Sequence, residues 1–557
     1  MSMQVAQSVN ANIKFEYLMA GHDLALIKSQ EKAEDDVVQS IDDLKAVTDN
    51  DPNCTFAVYI GITCGMSAPY VGSQVDWILH SSHPSRIRFM TILMGFNDVE
   101  MSRKTPIEGF NKTMYQVISE LSAKVGDGRH YILNPIVGPE PVAGSSRMKG
   151  GSITKLLLEM IAVRVLHRAF ETQLPLFTST TQTSANSVEI SPANTSQLST
   201  SSASWSSHSS FVSLIDFFER VNRWTYVRER EIAQVVEMAG ESLKQGGHVY
   251  YIGEASIAII ALIDASECPP TYGAEFSDVR GFVPGGWETM NNIEGDMSSH
   301  GINYQISDLD FLSNFVPSLS ERDLLVVLHV EGQCSDRLNS IVSKCLLHCP
   351  NLKRALVSWS RSEVVDEKLV ESVSIGAHSK GDFISDAPPS SSSLSSISVP
   401  LTSGNRVIVI PISLPSNEIV PGLYSPVEIS AKWICNAIST GAHVLKGKVW
   451  SNRMIDLTLS NDKLFRRGID LVQSLLCVPT SVAHHAILRS IHRVDTLTEH
   501  ILQMPISQHY QQARKHKRVV PIAILLASGK YDSIAQAEAA LSRDSILRNI
   551  IADIVCK

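Results

Sequence analysis

Short apolar runs alternate with amphipathic stretches along most of this chain. Phe56 to Ile60, Arg88 to Met94, Tyr131 to Leu133, Val249 to Ile252, Leu324 to Val330, Ala355 to Trp359 and Val407 to Ile412 are rich in β-branched and aromatic residues. Such runs read as strands buried on both faces, the mark of parallel sheets. Between them lie helical patterns: Leu156, Leu157, Ile161, Val165, Leu166, Ala169 and Phe170 paint one face. The pattern predicts an α/β fold with two domains, each built on a parallel sheet. After about Ser430 strand signals give way to helical spacing through Leu464 to Leu476, Ala486 to Ile491, Ile522 to Leu526 and Ile546 to Val555. Asp532 and Ser533 ahead of Ile534 supply a helix start. A helical third domain is expected.

Two segments break the pattern, Thr178 to Ser213 and Ser390 to Ser398, both crowded with Ser and Thr and read as linker or loop. The expected organisation is an α/β domain over 1–177, a linker over 178–213, a second α/β domain over 214–430 and a helical domain over 431–557. At 557 residues the chain is too long for one compact unit. Its 44% hydrophobic residues, 19% charged residues and net charge of -9 describe a folded globular protein and exclude a nucleic-acid-coating role. Nine scattered cysteines favour a reducing compartment, cytoplasmic or nuclear. Met1 to Lys14 lacks the apolar core of an export signal. The most apolar long stretch, Val249 to Ala265, is too short to span a membrane and carries Glu254 and Asp264. Cys345, His348 and Cys349 suit one helix face and lack a second ligand pair, so neither metal nor cofactor is expected. The basic run Arg514 to Arg518 reads as a solvated helix end rather than a nuclear address.

Four elements carry chemistry. In Tyr59 to Tyr70 a strand runs into a turn holding Gly61, Thr63, Cys64, Gly65 and Ser67, with a helix able to begin at Ala68. It is either a plain turn or a phosphate cradle of backbone N–H groups and hydroxyls. In Asn134 to Lys155, Ser145, Ser146, Arg147 and Lys149 precede a helix, which places donors and positive charge at its start. In Ile263 to Gly273 the carboxylate of Glu267 could move a proton or accept hydrogen bonds from sugar hydroxyls. Lys463, in Ser460-Asn-Asp-Lys-Leu464, and Glu34, in Ala33-Glu-Asp35, are charged positions that read either as solvated helix-surface residues or as contacts for a charged ligand.

The Gly-Pro-Glu turn and the Gly-Ser-Ser-Arg-Met-Lys-Gly-Gly run within Asn134 to Lys155 closely resemble the signature shared by N-acetylmuramic acid 6-phosphate etherases and glucokinase regulatory proteins, both of the sugar-isomerase (SIS) superfamily. The stretch Trp433 to Phe465 resembles the regulatory family specifically. The resemblance covers the chain from about Asp23 onward, apart from the Ser/Thr-rich insertion. It implies two SIS domains followed by a helical cap. It further implies a sugar phosphate held by Glu34, Thr63, Cys64, Gly65, Ser67, Ser146, Arg147, Glu267 and Lys463. The implied function is inhibition of glucokinase or another hexokinase-type enzyme, with fructose 6-phosphate and fructose 1-phosphate as opposing effectors. Neither nucleic acid nor membrane is an implied partner. The implied docking surface is the apolar stretch after the last strand of the second domain, here Ile412-Ser413-Leu414, weakened by its central Ser. The alternative is an etherase-like lyase using Glu267 and Glu34 as acid/base residues. Proteins of this kind carry, ahead of Leu18 to Asp23, a helical lead-in and a strand ending in a Thr-Ser-Gly-Arg loop. This sequence has neither, so a shortened gene model with an incomplete first domain is expected. The turn Gly253-Glu-Ala-Ser256 places an acid where a phosphate would be repelled.

Overall fold

The predicted strands assemble into two separate parallel sheets. The computed structural model of the protein describes residues 14–28, 30, 33–80, 87–170, 207–333, 335–360, 366–374, 407–414, 426–544 and 546–555. Of the two Ser/Thr-rich segments, 178–206 and Ser390 to Ser398 lie outside the described residues, whereas Ser207 to Ser213 open a helix.

The first sheet has the order β1 (Phe56–Ile62), β2 (Arg88–Met94), β3 (His130–Leu133). Its helices are α1 (Val37–Asp49), α2 (Pro69–His80), α3 (Met114–Ser122) and α4 (Lys149–Phe170). Local signals start them: Asp36 accepts from the Gln39 N–H ahead of α1, and Thr113 with Gln116 forms a capping box on α3. Met66, Val75, Leu93, Met114 and Val117 form the core between sheet and helices. Burial on both faces fails at β1, where Phe56 and Val58 are 48% and 52% exposed. Both point to the same side of an edge strand, and among the described residues nothing covers that side.

The second sheet has five parallel strands in the order β5-β4-β6-β7-β8, with β4 (Val249–Gly253), β5 (Val279–Phe282), β6 (Leu324–Val330), β7 (Lys353–Ser360) and β8 (Val407–Ser413). Around it run α5 (Ser207–Tyr226), α6 (Glu229–Lys244), α7 (Ala255–Ser266), α8 (Asp336–His348), α9 (Glu367–Ser374) and α10 (Pro426–Leu445). Strand β5 has no apolar run, because Arg280 and Gly281 interrupt it. Gly281 is required there: a Cβ would stand 2.5 Å from the Leu262 Cα of α7. The strand order reverses between β4 and β6, where open α/β sheets hold ligands beyond their carboxyl ends. At that point the Glu254 carboxylate is already engaged, 2.9 Å from His329 Nδ1, and both side chains are buried.

The boundary expected at 430/431 falls inside α10, which packs on α6 and α7. Beyond it come a small hairpin, β9 (Val449–Trp450) and β10 (Arg453–Met454), and the helices α11 (Asp462–Leu476), α12 (Thr480–His492), α13 (Ile506–Ala513), α14 (Val519–Ala527), α15 (Ile534–Arg543) and α16 (Leu547–Val555). One apolar cluster runs from Val249 and Val326 of the sheet through Ile434 and Ile438 to Phe465, Ile487 and Leu525, so this last domain shares its core with the second. The amino-terminal segment crosses to the second domain too. Ile27 packs near Trp287 and Tyr304, and Asp23 accepts from the Glu294 N–H and from Asn292 Nδ2 at 3.0 Å.

The docking surface expected at Ile412-Ser413-Leu414 is corrected. Ile412 pairs with Trp359 across β7 and β8, and it and Leu414 are buried in the core, leaving only Ser413 exposed. Alternation along a strand puts two residues spaced by two on the same side, and here that side is the interior. Cys345 and Cys349 likewise face inward while His348 is exposed. No helix among the described residues is long and apolar enough to cross a membrane.

In the last domain His509 stacks on Phe465 with planes 10° apart, and its Nδ1 lies 2.9 Å from His492 Nε2. Burial, then the neighbouring His492 and His484, push His509 from an ordinary 6.5 down to about 4. The folded state therefore resists protonation that the unfolded chain accepts. Stability contributed by neutral His509 is complete above about pH 6.5 and is lost as pH falls toward 4. Thermal midpoints should drop across that window, and His509→Gln should flatten the drop. An unchanged slope in the variant would remove His509 as its source.

Candidate functional site

The carboxyl end of β1 leads into the turn Thr63 to Ser67, backed by the residues that follow β2: the Phe96 N–H donates to the Cys64 carbonyl at 2.9 Å. Two of the turn's backbone donors are already taken within it. Thr63 is buried, and its Oγ1 accepts from the Ser67 and Ala68 N–H groups at 3.2 Å each, capping the approach to α2. Gly65 lies open beside Ser67, with the Asn97 amide about a van der Waals contact away from where a Cβ would stand. Cys64 instead turns toward the second motif, where Ser146 and Thr154 hydrogen-bond its thiol while burial pushes its pKa up.

The start of α4 differs from expectation in the same way. The Glu140 carboxylate of the Gly-Pro-Glu turn accepts from the Lys149 and Gly150 N–H groups at 2.8 Å each. An anion at a helix N-terminus was expected, and the chain supplies its own. The two following glycines allow close approach. A Cβ on Gly150 would stand 3.3 Å from Cys64 Sγ, and one on Gly151 3.3 Å from Lys432 Nζ.

Arg147 is the largest correction. Expected to face a sugar phosphate, it is buried with its guanidinium inside the second domain, donating to the Asp264 carboxylate on α7, to Ser439 Oγ at 2.6 Å and to Cys268 Sγ at 3.5 Å. Burial alone would lower its pKa; the Asp264 charge more than reverses this and holds the guanidinium firmly protonated. With both side chains at most 2% exposed, the pair is a joint between domains and presents no charge to a ligand. Sequence spacing could not show this, because Asp264 lies 117 residues away.

Glu267 lies beside that joint, 3.5 Å from Arg147 Nε, with its side chain 42% exposed, so a ligand can reach it. Burial raises its pKa, against the opposing pull of Arg147 and Lys432. Lys432 was not anticipated. It stands on α10, donates to the Arg147 carbonyl at 2.6 Å and to Asn436 Oδ1 at 2.8 Å, and burial lowers its pKa. Its signal was present in the sequence: Lys432, Asn436, Ser439 and His443 form a polar stripe at helical spacing through an apolar helix. Trp433 Nε1 donates to Ser152 at 3.2 Å and Lys155 pairs with Glu428 at 2.6 Å, so α4 and α10 are joined along several turns.

A second cluster ties the first domain to the last. Glu34, on the short turn Ala33–Asp35 against α2, pairs with Lys463 at 3.0 Å. Beside it Arg103 bridges Asp35 at 3.4 Å and Asp462 at 2.9 Å. Asn461 caps α11 by accepting from the Leu464 N–H, which holds Lys463 in the first turn. The structure thus brings Glu34 and Lys463 together, as the sugar-site reading requires. It joins Cys64, Ser146 and Glu267 to the region of the Arg147 joint, and it leaves Ser146 exposed.

Three family models match the chain. The N-terminal SIS domain of glucokinase regulatory protein matches 2–79, its second SIS domain 226–368, and its C-terminal lid domain 451–551. The glucokinase regulatory protein of Xenopus laevis is 31% identical over 509 residues, 91% of this chain and 71% of that protein. The Homo sapiens protein of the same name is 31% identical over 545 residues, 97% of this chain and 75% of that protein. An N-acetylmuramic acid 6-phosphate etherase from Gloeothece citriformis is 25% identical over 245 residues, 44% of this chain and 65% of that protein.

Removing one member of a buried ion pair strands the other, at a cost of about 3–5 kcal/mol. Arg147→Ala should lower the urea midpoint accordingly, and Asp264→Asn should do so by a smaller amount because the amide still accepts one hydrogen bond. The double substitution should be less harmful than the sum. Strict additivity of the two changes would mean that the pair does not act as a unit.

Proposed function

The chain belongs to the glucokinase regulatory protein family, and from that premise we propose that it is a non-catalytic sensor of phosphorylated sugars that inhibits a glucokinase or other hexokinase-type partner. Fructose 6-phosphate and fructose 1-phosphate are its opposing effectors. The observation that carries this reading is the Glu34–Lys463 pair at 3.0 Å, between the first domain and the lid. Each side chain is about one-third exposed, 37% and 35%, so the pair can open to a ligand with little loss. A sugar phosphate entering there offers its charge to Lys463 and its hydroxyls to Glu34, replacing one contact across the seam by two. Ligand capture and the placing of first domain against lid are thereby the same event, which is what a regulator that acts through its surface needs. The turn at Gly65 and Ser67, just ahead of α2, supplies neutral donors. The docking surface is not the buried Ile412 and Leu414.

A second reading rests on one observation. Glu267 combines a raised pKa with access to solvent, the properties of a general acid in an etherase. Against it, Glu34, its partner in that chemistry, stands in the cluster with Lys463, whereas Glu267 stands beside Arg147.

Calorimetry with fructose 6-phosphate and fructose 1-phosphate separates the readings. Lys463→Ala should weaken the preferred sugar phosphate about ten- to hundred-fold, the effect of removing one charged partner. Unchanged affinity would sink the proposed site. Sustained release of lactate from N-acetylmuramic acid 6-phosphate, abolished by Glu267→Gln, would establish the etherase reading in its place.

A further inference from the structure

A cavity of about 990 Å³ opens where three parts of the chain meet: the amino-terminal segment at Lys28 and Gln30, the second domain at Gly273 to Asp278, and the lid turn at Arg514 to Arg518. None of its lining residues belongs to the sugar-phosphate site described above. The walls come this close because Gly273 has φ +57 and no side chain; a Cβ would stand 2.1 Å from the Asp456 carbonyl.

The charges on the walls are unevenly matched. Lys446 is neutralised by Asp278 at 2.7 Å, Lys517 by Glu275 at 2.5 Å, and Lys448 by Asp456. Lys28, Arg514 and Arg518 have no carboxylate within ion-pair distance among the described residues. Arg514 donates to the Ser460 carbonyl at 2.7 Å and Arg518 to the Leu541 carbonyl at 2.8 Å, bonds that fix the guanidinium groups without cancelling their charge. Arg518 does feel Asp456, but Lys448 already holds that carboxylate. The one further acid, Asp544, has its oxygens taken by the Ile546 N–H and the Asn549 amide. Arg518 is also held at φ +57, a left-handed conformation unusual for its residue type and concentrated at functional sites. The lining also includes the apolar side chains of Phe276, Leu541, Leu547 and Ile550. The volume stands at the upper end of small-molecule sites, about 300–1,000 Å³.

We propose that this cavity is a second ligand site, which takes an organic molecule bearing two or more phosphate charges, of the size of a nucleoside diphosphate. Lys28, Arg514 and Arg518 receive the phosphates, and the apolar side chains receive the ring system. Arginine suits this task because its planar fork can give one donor to a carbonyl and still offer two to a phosphate.

Calorimetry of the full chain with ADP tests it. ADP should bind, inorganic pyrophosphate should bind more weakly, and Lys28→Ala and Arg518→Gln should each weaken ADP about ten-fold. Arg518→Lys should recover part of the loss, and Lys463→Ala should leave ADP affinity unchanged. Lys28 is exposed, and its side chain has no hydrogen bond or ion pair among the described residues, so its variant reports chiefly on binding. Absence of ADP binding at millimolar concentration would overturn the proposal. So would loss of binding in Lys463→Ala with full retention in Lys28→Ala and Arg518→Gln, which would place the nucleotide in the sugar-phosphate site.

Discussion

The buried ion pair between Arg147 and Asp264 is the constraint on which the rest of the arrangement depends. A guanidinium from the first domain ends inside the second, where it satisfies a carboxylate, a hydroxyl and a thiol at once. Asp264 Oδ1 takes donors from Arg147, Asn436 and Ser439, while Asp264 Oδ2 and Arg147 Nε have no hydrogen-bond partner among the described residues, so the pair rests on one crowded oxygen and its geometry is narrowly set. That geometry fixes the Arg147 carbonyl under Lys432 and the start of α4 against α10. It also sets the place of Glu267, 3.5 Å from Arg147 Nε. An apolar contact of the same area would permit sliding; a fork of directional bonds does not.

The same economy of polar groups explains why neither helix start awaits a phosphate. Donors at the ends of α2 and α4 are satisfied by Thr63 and by Glu140. A buried N–H left without a partner is destabilising, so a helix end packed between domains needs an acceptor from the chain itself. The positive charge for a ligand then has to come from side chains on other elements. Lys432 on α10 and Arg467 on α11 reach the run that starts α4, and Lys463 on α11 reaches Glu34. The signature run is therefore first a device for docking domains, and the ligand chemistry is arranged around it.

Much of this was legible in the sequence. Seven of the eight sheet strands followed from apolar runs, because parallel strands are buried on both faces and need no pairing information to be seen. β5 escaped because Arg280 and Gly281 answer to tertiary neighbours. Lys463 and Glu34 were picked out by resemblance, and in the structure they pair with each other at 3.0 Å. Arg147 was found and misassigned: a motif gives residue types in order, and it does not say across which seam a long side chain will reach. Ile412 and Leu414 failed for a related reason, since an apolar pair flanking a serine reads the same whether its side faces solvent or core. Lys432 was visible only as one position of a polar stripe, a pattern whose meaning depends on what lies opposite.

The seams between the domains differ in strength, and the difference decides which of them a ligand can work on. The lid and the second domain share one apolar core, from Val326 through Ile438 to Ile487, with every one of these side chains excluded from solvent. Separating them would expose all of that surface at roughly 25 cal/mol per Å². The first domain meets the lid through Glu34, Asp35, Arg103, Asp462 and Lys463, a polar patch of partly exposed pairs, each of which contributes about 0–1 kcal/mol. It meets the second domain through the Arg147 joint, through the contacts between α4 and α10, and through the amino-terminal segment at Asp23 and Ile27. Of these seams the polar patch is the one whose contacts cost least to break. A sugar phosphate contributes a few kcal/mol of binding energy, ample to remake the patch and far too little to part the core.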